Sequence, residues 1–185
     1  MTDQAAASVL SALRARGQTL ATAESLTGGL IGKLITDVPG ASQSYLGGVI
    51  SYATRLKAEL AGVAPSTLDR YGPVAAVTAE QMAAGVARRC GADWGLAVTG
   101  VAGPEAQDGH PVGQVFVAVA QRGGAGVRVH ELALAGERDE IRRQTAREAL
   151  ALLAAEMGMQ VAGTDVVIGN EYVEPVRSQA VGEGG

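Results

Sequence analysis

The run Thr22-Ala23-Glu24-Ser25-Leu26-Thr27-Gly28-Gly29 constrains the fold of this chain more than any other stretch. A β-branched, apolar segment stops at a serine, and glycines then open an amphipathic helix, the strand-turn-helix unit of α/β proteins. Leu30, Ile31, Leu34 and Ile35 place an apolar face on that helix before Pro39-Gly40 ends it. The pattern predicts a strand over 19–24 and a helix over 27–38. Helix N-termini leave N–H groups unpaired and carry partial positive charge, so a hydroxyl there sits where an oxyanion or phosphate is stabilised. Ser25 is then a nucleophile, an anion ligand or a helix N-cap.

The alternation continues along the chain. Ala6, Val9, Leu10 and Leu13 recur at helical spacing over 2–16, and Gly17 follows as a left-handed cap. A strand is predicted over 46–52, a helix over 53–60 and a short helical turn from Pro65. Thr78-Ala79-Glu80-Gln81 has the form of a capping box and introduces a helix reaching Cys90. Strands over 94–99, 113–120 and 127–134 precede a long helix over 137–157. Val166, Val167 and Ile168 suggest one more short strand, while Gly182-Glu183-Gly184-Gly185 reads as a frayed end. With hairpin-like neighbours late in the chain, these elements predict a single-domain, layered α/β sandwich: a mixed, mostly parallel sheet flanked by helices. The domain is expected over 1–160, with a partly flexible C-terminal extension over 161–185.

Composition narrows the partners. At 185 residues and 47% hydrophobic content the chain can bury one good core, and with aromatics at only 3% that core must be mostly Ala, Val, Leu and Ile. A formal net charge of −4 argues against broad nucleic-acid or anionic-membrane binding, leaving a small molecule as the expected partner. Cys90 is the single cysteine, which excludes an internal disulfide; late in a helix it reads as a small buried hydrophobe. His110 and His130 are the only histidines, and no cluster has metal-ligand spacing, so no metal is expected. The acidic start lacks signal-peptide form and no run reaches about 18 apolar residues, so a cytoplasmic protein is expected.

A second patch gives Ser25 a chemical context. Gly47-Gly48-Val49-Ile50-Ser51-Tyr52 reads as a strand delivering Tyr52, and the helical turn after it delivers Lys57. A lysine whose pKa falls from about 10.4 towards roughly 7–8 in a dry pocket can accept a serine proton, as imidazole does in a Ser-His pair. The competing fate of Lys57 is a solvated charge on a helix face. Ser25, Tyr52 and the glycine-rich loop after Thr99 all follow predicted strand ends, where α/β folds bind ligands.

These residues resemble the CinA C-terminal domain. The resemblance is carried by Thr22 to Gly29, the Gly-Val-Ile-Ser-Tyr strand with Lys57 after it, Leu60-Ala61-Gly62-Val63 and Tyr71-Gly72-Pro73-Val74. It continues through Thr99-Gly100-Val101-Ala102-Gly103-Pro104, Pro111-Val112-Gly113 and Arg138-Asp139-Glu140-Ile141-Arg142, in the family's order over roughly residues 5 to 157. In CinA proteins this domain often follows a larger N-terminal domain, and the likeness is to the C-terminal part. It implies an amidohydrolase converting nicotinamide mononucleotide and water to nicotinic acid mononucleotide and ammonia, with Ser25, Lys57 and Tyr52 catalytic, no cofactor, and a homo-oligomer.

On that chemistry the oxyanion is expected to meet N–H groups around Thr27, Gly28 and Gly29. The phosphate is expected at Gly100-Val101-Ala102-Gly103 together with Arg142. Thr99 either hydrogen-bonds the ribose or amide or simply finishes its strand. Glu24 stays outside the catalytic set, because a carboxylate beside the lysine would hold it charged. Two alternatives stay open: a non-catalytic nucleotide-binding or partner-regulating module linked to competence and DNA damage, and an amidase for another carboxamide.

Overall fold

A computed structural model describes residues 3–124 and 126–159. Helix α1 (Gln4–Arg16) starts at Asp3, whose carboxylate accepts the Ala6 N–H, and stops at Gly17 in the left-handed conformation that a Cβ disfavours. Strand β1 (Leu20–Glu24) follows, then helix α2 (Leu30–Thr36), strand β2 (Tyr45–Ile50), helices α3 (Thr54–Glu59) and α4 (Pro65–Tyr71), and helix α5 (Ala76–Cys90). Strands β3 (Trp94–Gly100), β4 (Gln114–Gln121) and β5 (Val127–Ala133) lead to the long helix α6 (Arg138–Glu156).

The five strands form one sheet in the order β2-β1-β3-β4-β5. β1 pairs in parallel with β2 and β3, whereas β4 is antiparallel to both β3 and β5, so a single strand opposes the other four. The expected mixed, mostly parallel sheet flanked by helices is what forms. Its faces differ in side-chain size. Leu20, Leu96, Val98, Val117 and Val119 pack beneath α1, α2 and α6 together with Leu10, Ile31 and Leu150. The opposite face presents Ala21, Ala23, Ala97 and Ala118 to Met82 and Val86 of α5. Small residues there let α5 approach closely: a Cβ on Gly95 would lie 2.1 Å from the Ala83 carbonyl oxygen.

Three expectations need correction. The helix expected from residue 27 begins at Leu30, because Gly28 (φ 60°) and Gly29 (φ 100°) hold the chain in left-handed turns first. The Thr78 capping box is not a cap: α5 already starts at Ala76, and buried Thr78 donates its hydroxyl hydrogen bond to the Gly72 carbonyl at 2.8 Å. Cys90, expected to be buried, is exposed at the last residue of α5. The strand suggested at Val166–Ile168, the frayed end at Gly182–Gly185 and the extension over 161–185 lie outside the described residues.

Candidate active site

Sheet register assembles the site. Glu24 is paired with Ile50 on one side and Val98 on the other, so Ser25 and Ser51, just past the ends of β1 and β2, come level with Thr99 near the end of β3. The Ser51 N–H donates to the Glu24 carbonyl at 2.8 Å, tying the β2 exit to the residue before Ser25. From there the chain turns into α3, a helix whose two cations meet opposite fates. Arg55 faces outward and pairs with Glu59 at 2.9 Å. Lys57 faces inward and is 1% exposed.

Lys57 Nζ lies 2.8 Å from Ser25 Oγ and donates to the Ser51 carbonyl at 2.9 Å. Among the described residues it forms no ion pair. Burial alone therefore decides its charge state, pulling its pKa from 10.5 to about 8. The solvated-lysine alternative is thereby excluded.

Glu24 lies next to this pair in sequence yet points elsewhere. Its carboxylate accepts the N–H groups of Gly29, Ile31 and Gly32 at 2.9, 3.1 and 2.8 Å. It neutralises the amino end of α2, the position that an incoming anion would otherwise take.

The cavity in front of Ser25 has a volume of about 170 Å³. Its wall is formed by Leu26, Lys57, Pro73, Val74, Thr99, Gly100, Val101, Ala102 and Gly103, with Tyr52, Thr54, Glu105, Gln107 and Arg138 also lining it. Ser25, Lys57, Tyr52, Thr99, Gly100, Ala102 and Gly103, all expected from the sequence, thus converge there. Thr99 is anchored, donating its hydroxyl hydrogen bond to the Pro73 carbonyl at 2.7 Å.

Four expected residues do not line the cavity. The Gly28 N–H is spent on the Ser25 carbonyl at 3.1 Å and the Gly29 N–H on Glu24, so neither is available as an oxyanion donor. Thr27 is fully buried beside them, and its backbone N–H, like that of Leu26, meets no acceptor among the described residues. Arg142 is corrected as a phosphate ligand: its guanidinium donates to the Leu26 and Thr27 carbonyls, each at 2.9 Å.

The cation at the cavity is Arg138, which the sequence reading passed over. It donates to the Tyr52 hydroxyl at 2.9 Å and to the Gly103 carbonyl. Tyr52 is 58% exposed and its hydroxyl is engaged by Arg138, with no hydrogen bond to Ser25 or Lys57. The Ser25–Lys57 contact is thus direct and does not run through Tyr52. A signal for Arg138 was present: an arginine in the first turn of a helix opposes the macrodipole, so its presence there calls for another partner. Among the described residues no group of three or more His, Cys, Asp or Glu side chains could hold a metal ion, and no helix is long and apolar enough to cross a membrane.

The family model of the CinA C-terminal domain matches residues 2–157. The chain belongs to the CinA C-terminal domain family. A CinA-like protein of Synechococcus sp. is 48% identical over 150 residues, which cover 80% of this chain and 35% of that relative. A CinA-like protein of Frankia casuarinae is 47% identical over 145 residues, covering 78% and 33%. The chain thus spans about a third of the length of the curated relatives it matches. Among solved structures, the competence/damage inducible protein CihA from Agrobacterium tumefaciens superposes with a TM-score of 0.80 at 36% identity, over 85% of this chain and 95% of that one. A competence-damaged protein (CinA) superfamily member from Klebsiella pneumoniae gives 0.81 at 30% identity, over 85% and 98%. The CinA C-terminal fold therefore carries the Ser25–Lys57 pair at its parallel strand ends.

Proposed function

We propose that this CinA domain is an amidohydrolase that converts nicotinamide mononucleotide to nicotinic acid mononucleotide and ammonia, with Ser25 as nucleophile and Lys57 as general base. The observation that carries the proposal is the 2.8 Å contact between Ser25 Oγ and a Lys57 amine that burial has brought to a pKa of about 8. Near neutral pH a usable fraction of that amine is uncharged, and it accepts the Ser25 proton as Oγ attacks the carboxamide carbon. The Ser51 carbonyl keeps Nζ aimed during the transfer.

The tetrahedral oxyanion is received by the unpaired N–H of Leu26, a residue of the cavity wall, a donor of the kind that contributes about 2.7–4 kcal/mol in comparable sites. The C–N bond then breaks as Lys57 returns the proton to the departing nitrogen, which leaves as ammonia. A nicotinoyl ester on Ser25 remains. Water attacks it, Lys57 takes the water proton and passes it to Ser25 Oγ, and the free acid is released.

The cavity, at about 170 Å³, suits the pyridine carboxamide and is smaller than the 300 Å³ or more typical of whole-ligand pockets. The ribose phosphate therefore extends past the mouth, where Arg138 supplies the cation that the sequence had placed at Arg142.

Ammonia release from nicotinamide mononucleotide by the purified chain is the test. Wild type is expected to release it, and Ser25→Ala and Lys57→Ala to lose at least about 10³-fold in kcat. Equal release by all three would remove both residues from the chemistry. Binding of the nucleotide without turnover in wild type would favour a non-catalytic module, and turnover of other carboxamides alone would reassign the substrate.

A further inference from the structure

The turn after Ser25 contains an uncommon feature: two consecutive buried residues, Leu26 (4% exposed) and Thr27 (0% exposed), whose N–H groups meet no acceptor among the described residues. Orphaned buried N–H groups are rare in folded proteins, because each forfeits its hydration without a replacement partner. Their persistence requires that the carbonyls of the same peptides be held in place.

In a trans peptide the C=O and the following N–H point in opposite directions, so fixing one fixes the other. The Leu26 carbonyl accepts from Arg142 Nε at 2.9 Å, which points the Thr27 N–H away from the guanidinium, at the opposite edge of that peptide. The Thr27 carbonyl accepts from Arg142 Nη2 at 2.9 Å, which sets the Gly28 N–H; that group bonds the Ser25 carbonyl at 3.1 Å and so sets the Leu26 N–H. One guanidinium on α6, reaching across 115 residues of sequence, thus orients both unpaired donors.

We infer that Arg142 is a positioning residue for the oxyanion site: it clamps the Leu26 and Thr27 carbonyls from behind and so holds the turn that keeps the Leu26 N–H, at the cavity wall, beside the atom Ser25 attacks. The inference rests on the amidohydrolase reading. Two further observations agree with a clamp. The Arg142 side chain forms no ion pair among the described residues, so its charge is met by these carbonyls. A cation drawing on a peptide carbonyl also polarises that peptide, which makes its N–H a stronger donor. The guanidinium lies against this turn: a Cβ on Gly28 would be in ordinary contact with Arg142 Nη2, 3.4 Å away.

The test is steady-state ammonia release from nicotinamide mononucleotide by wild type, Arg142→Ala and Arg142→Lys, with thermal unfolding of each. Arg142→Ala is expected to lose about 10²-fold in kcat with KM within threefold of wild type, because an oxyanion donor acts only in the transition state. Added guanidinium at low millimolar concentration should restore at least tenfold, and Arg142→Lys, with a single cationic head and no fork, should fall between. An unchanged kcat, or a KM that rises alone as for a phosphate ligand, would overturn the inference. Should Arg142→Ala fail to fold, Arg142→Lys decides: a tenfold lower kcat at an unchanged melting temperature supports the clamp, and a wild-type kcat overturns it. An inactive wild type would overturn the amidohydrolase reading and this inference with it, whereas an active wild type with equally active variants removes only the latter.

Discussion

Lys57 is 1% exposed and has no carboxylate partner among the described residues, so its protonation couples catalysis to stability. Burial lowers its pKa to about 8, while in an unfolded chain a lysine titrates near 10.4. Between those values the unfolded chain holds more protons than the folded one, so stability rises with pH across that window. Below about pH 8 both states are protonated, and the folded protein carries the full burial penalty, on the order of 3 kcal/mol. Lys57→Met has no such proton. The unfolding free energy of wild type relative to Lys57→Met is therefore expected to improve by on the order of 3 kcal/mol from pH 8 to pH 10.4, read from urea titrations across the range. The kcat/KM of wild type should climb about tenfold per pH unit below about pH 8 and stay level from there to pH 10.4. A flat profile in both measurements would mean that Lys57 is solvated. At this scale the buried Ser25–Lys57 pair was legible because the proposed chemistry demands particular residue types at adjacent strand ends. Arg138 and Arg142 were not, since which of two arginines one helical turn apart faces the cavity depends on how α6 sits against the sheet.

Between strand β1 and helix α2 the sequence places a serine and two glycines, from which a helix capped by Ser25 is the natural expectation. The cap is instead Glu24, the residue before, whose carboxylate crosses the turn to three N–H groups of Gly29, Ile31 and Gly32. Left-handed glycines postpone the helix to Leu30, and the turn they create frees Ser25 from capping duty. Glu24→Ala is expected to lower the unfolding free energy by about 2–3 kcal/mol, because it strands buried donors at a helix start. Glu24→Gln keeps one acceptor oxygen and should lose roughly half as much. Identical urea midpoints for all three would show that α2 starts without help from Glu24. Local patterns were sound where the local partner is also the real one, as at Asp3 and Gly17, which bracket α1. They failed at Thr78, where a capping-box sequence lies inside a helix that already starts at Ala76 and the threonine hydroxyl bonds the Gly72 carbonyl.

On the scale of the molecule, apolar runs separated by amphipathic helices were enough to foresee a layered α/β sheet, because each layer announces itself through its own period. The order β2-β1-β3-β4-β5 was not legible, since pairing joins segments far apart in sequence, and it is this order that puts the ends of β1, β2 and β3 around one cavity. Among the described residues, the core beneath α1, α2 and α6 extends to Met157, with Met159 packed against it, and the core on the α5 face reaches Val127 and Val129 of β5. The family match stops at 157, and among the described residues every one that lines the cavity precedes 139. A chain ending at Met159 should therefore keep the melting temperature of the full chain within about 2 °C, a shift worth well under 1 kcal/mol for a domain of this size, and keep its rate of ammonia release. Circular dichroism melts and the ammonia assay on the shortened protein check both. If it were to melt markedly lower, residues 160–185 would contribute to the core energetics; if it kept its melting point but lost turnover, they would supply part of the site.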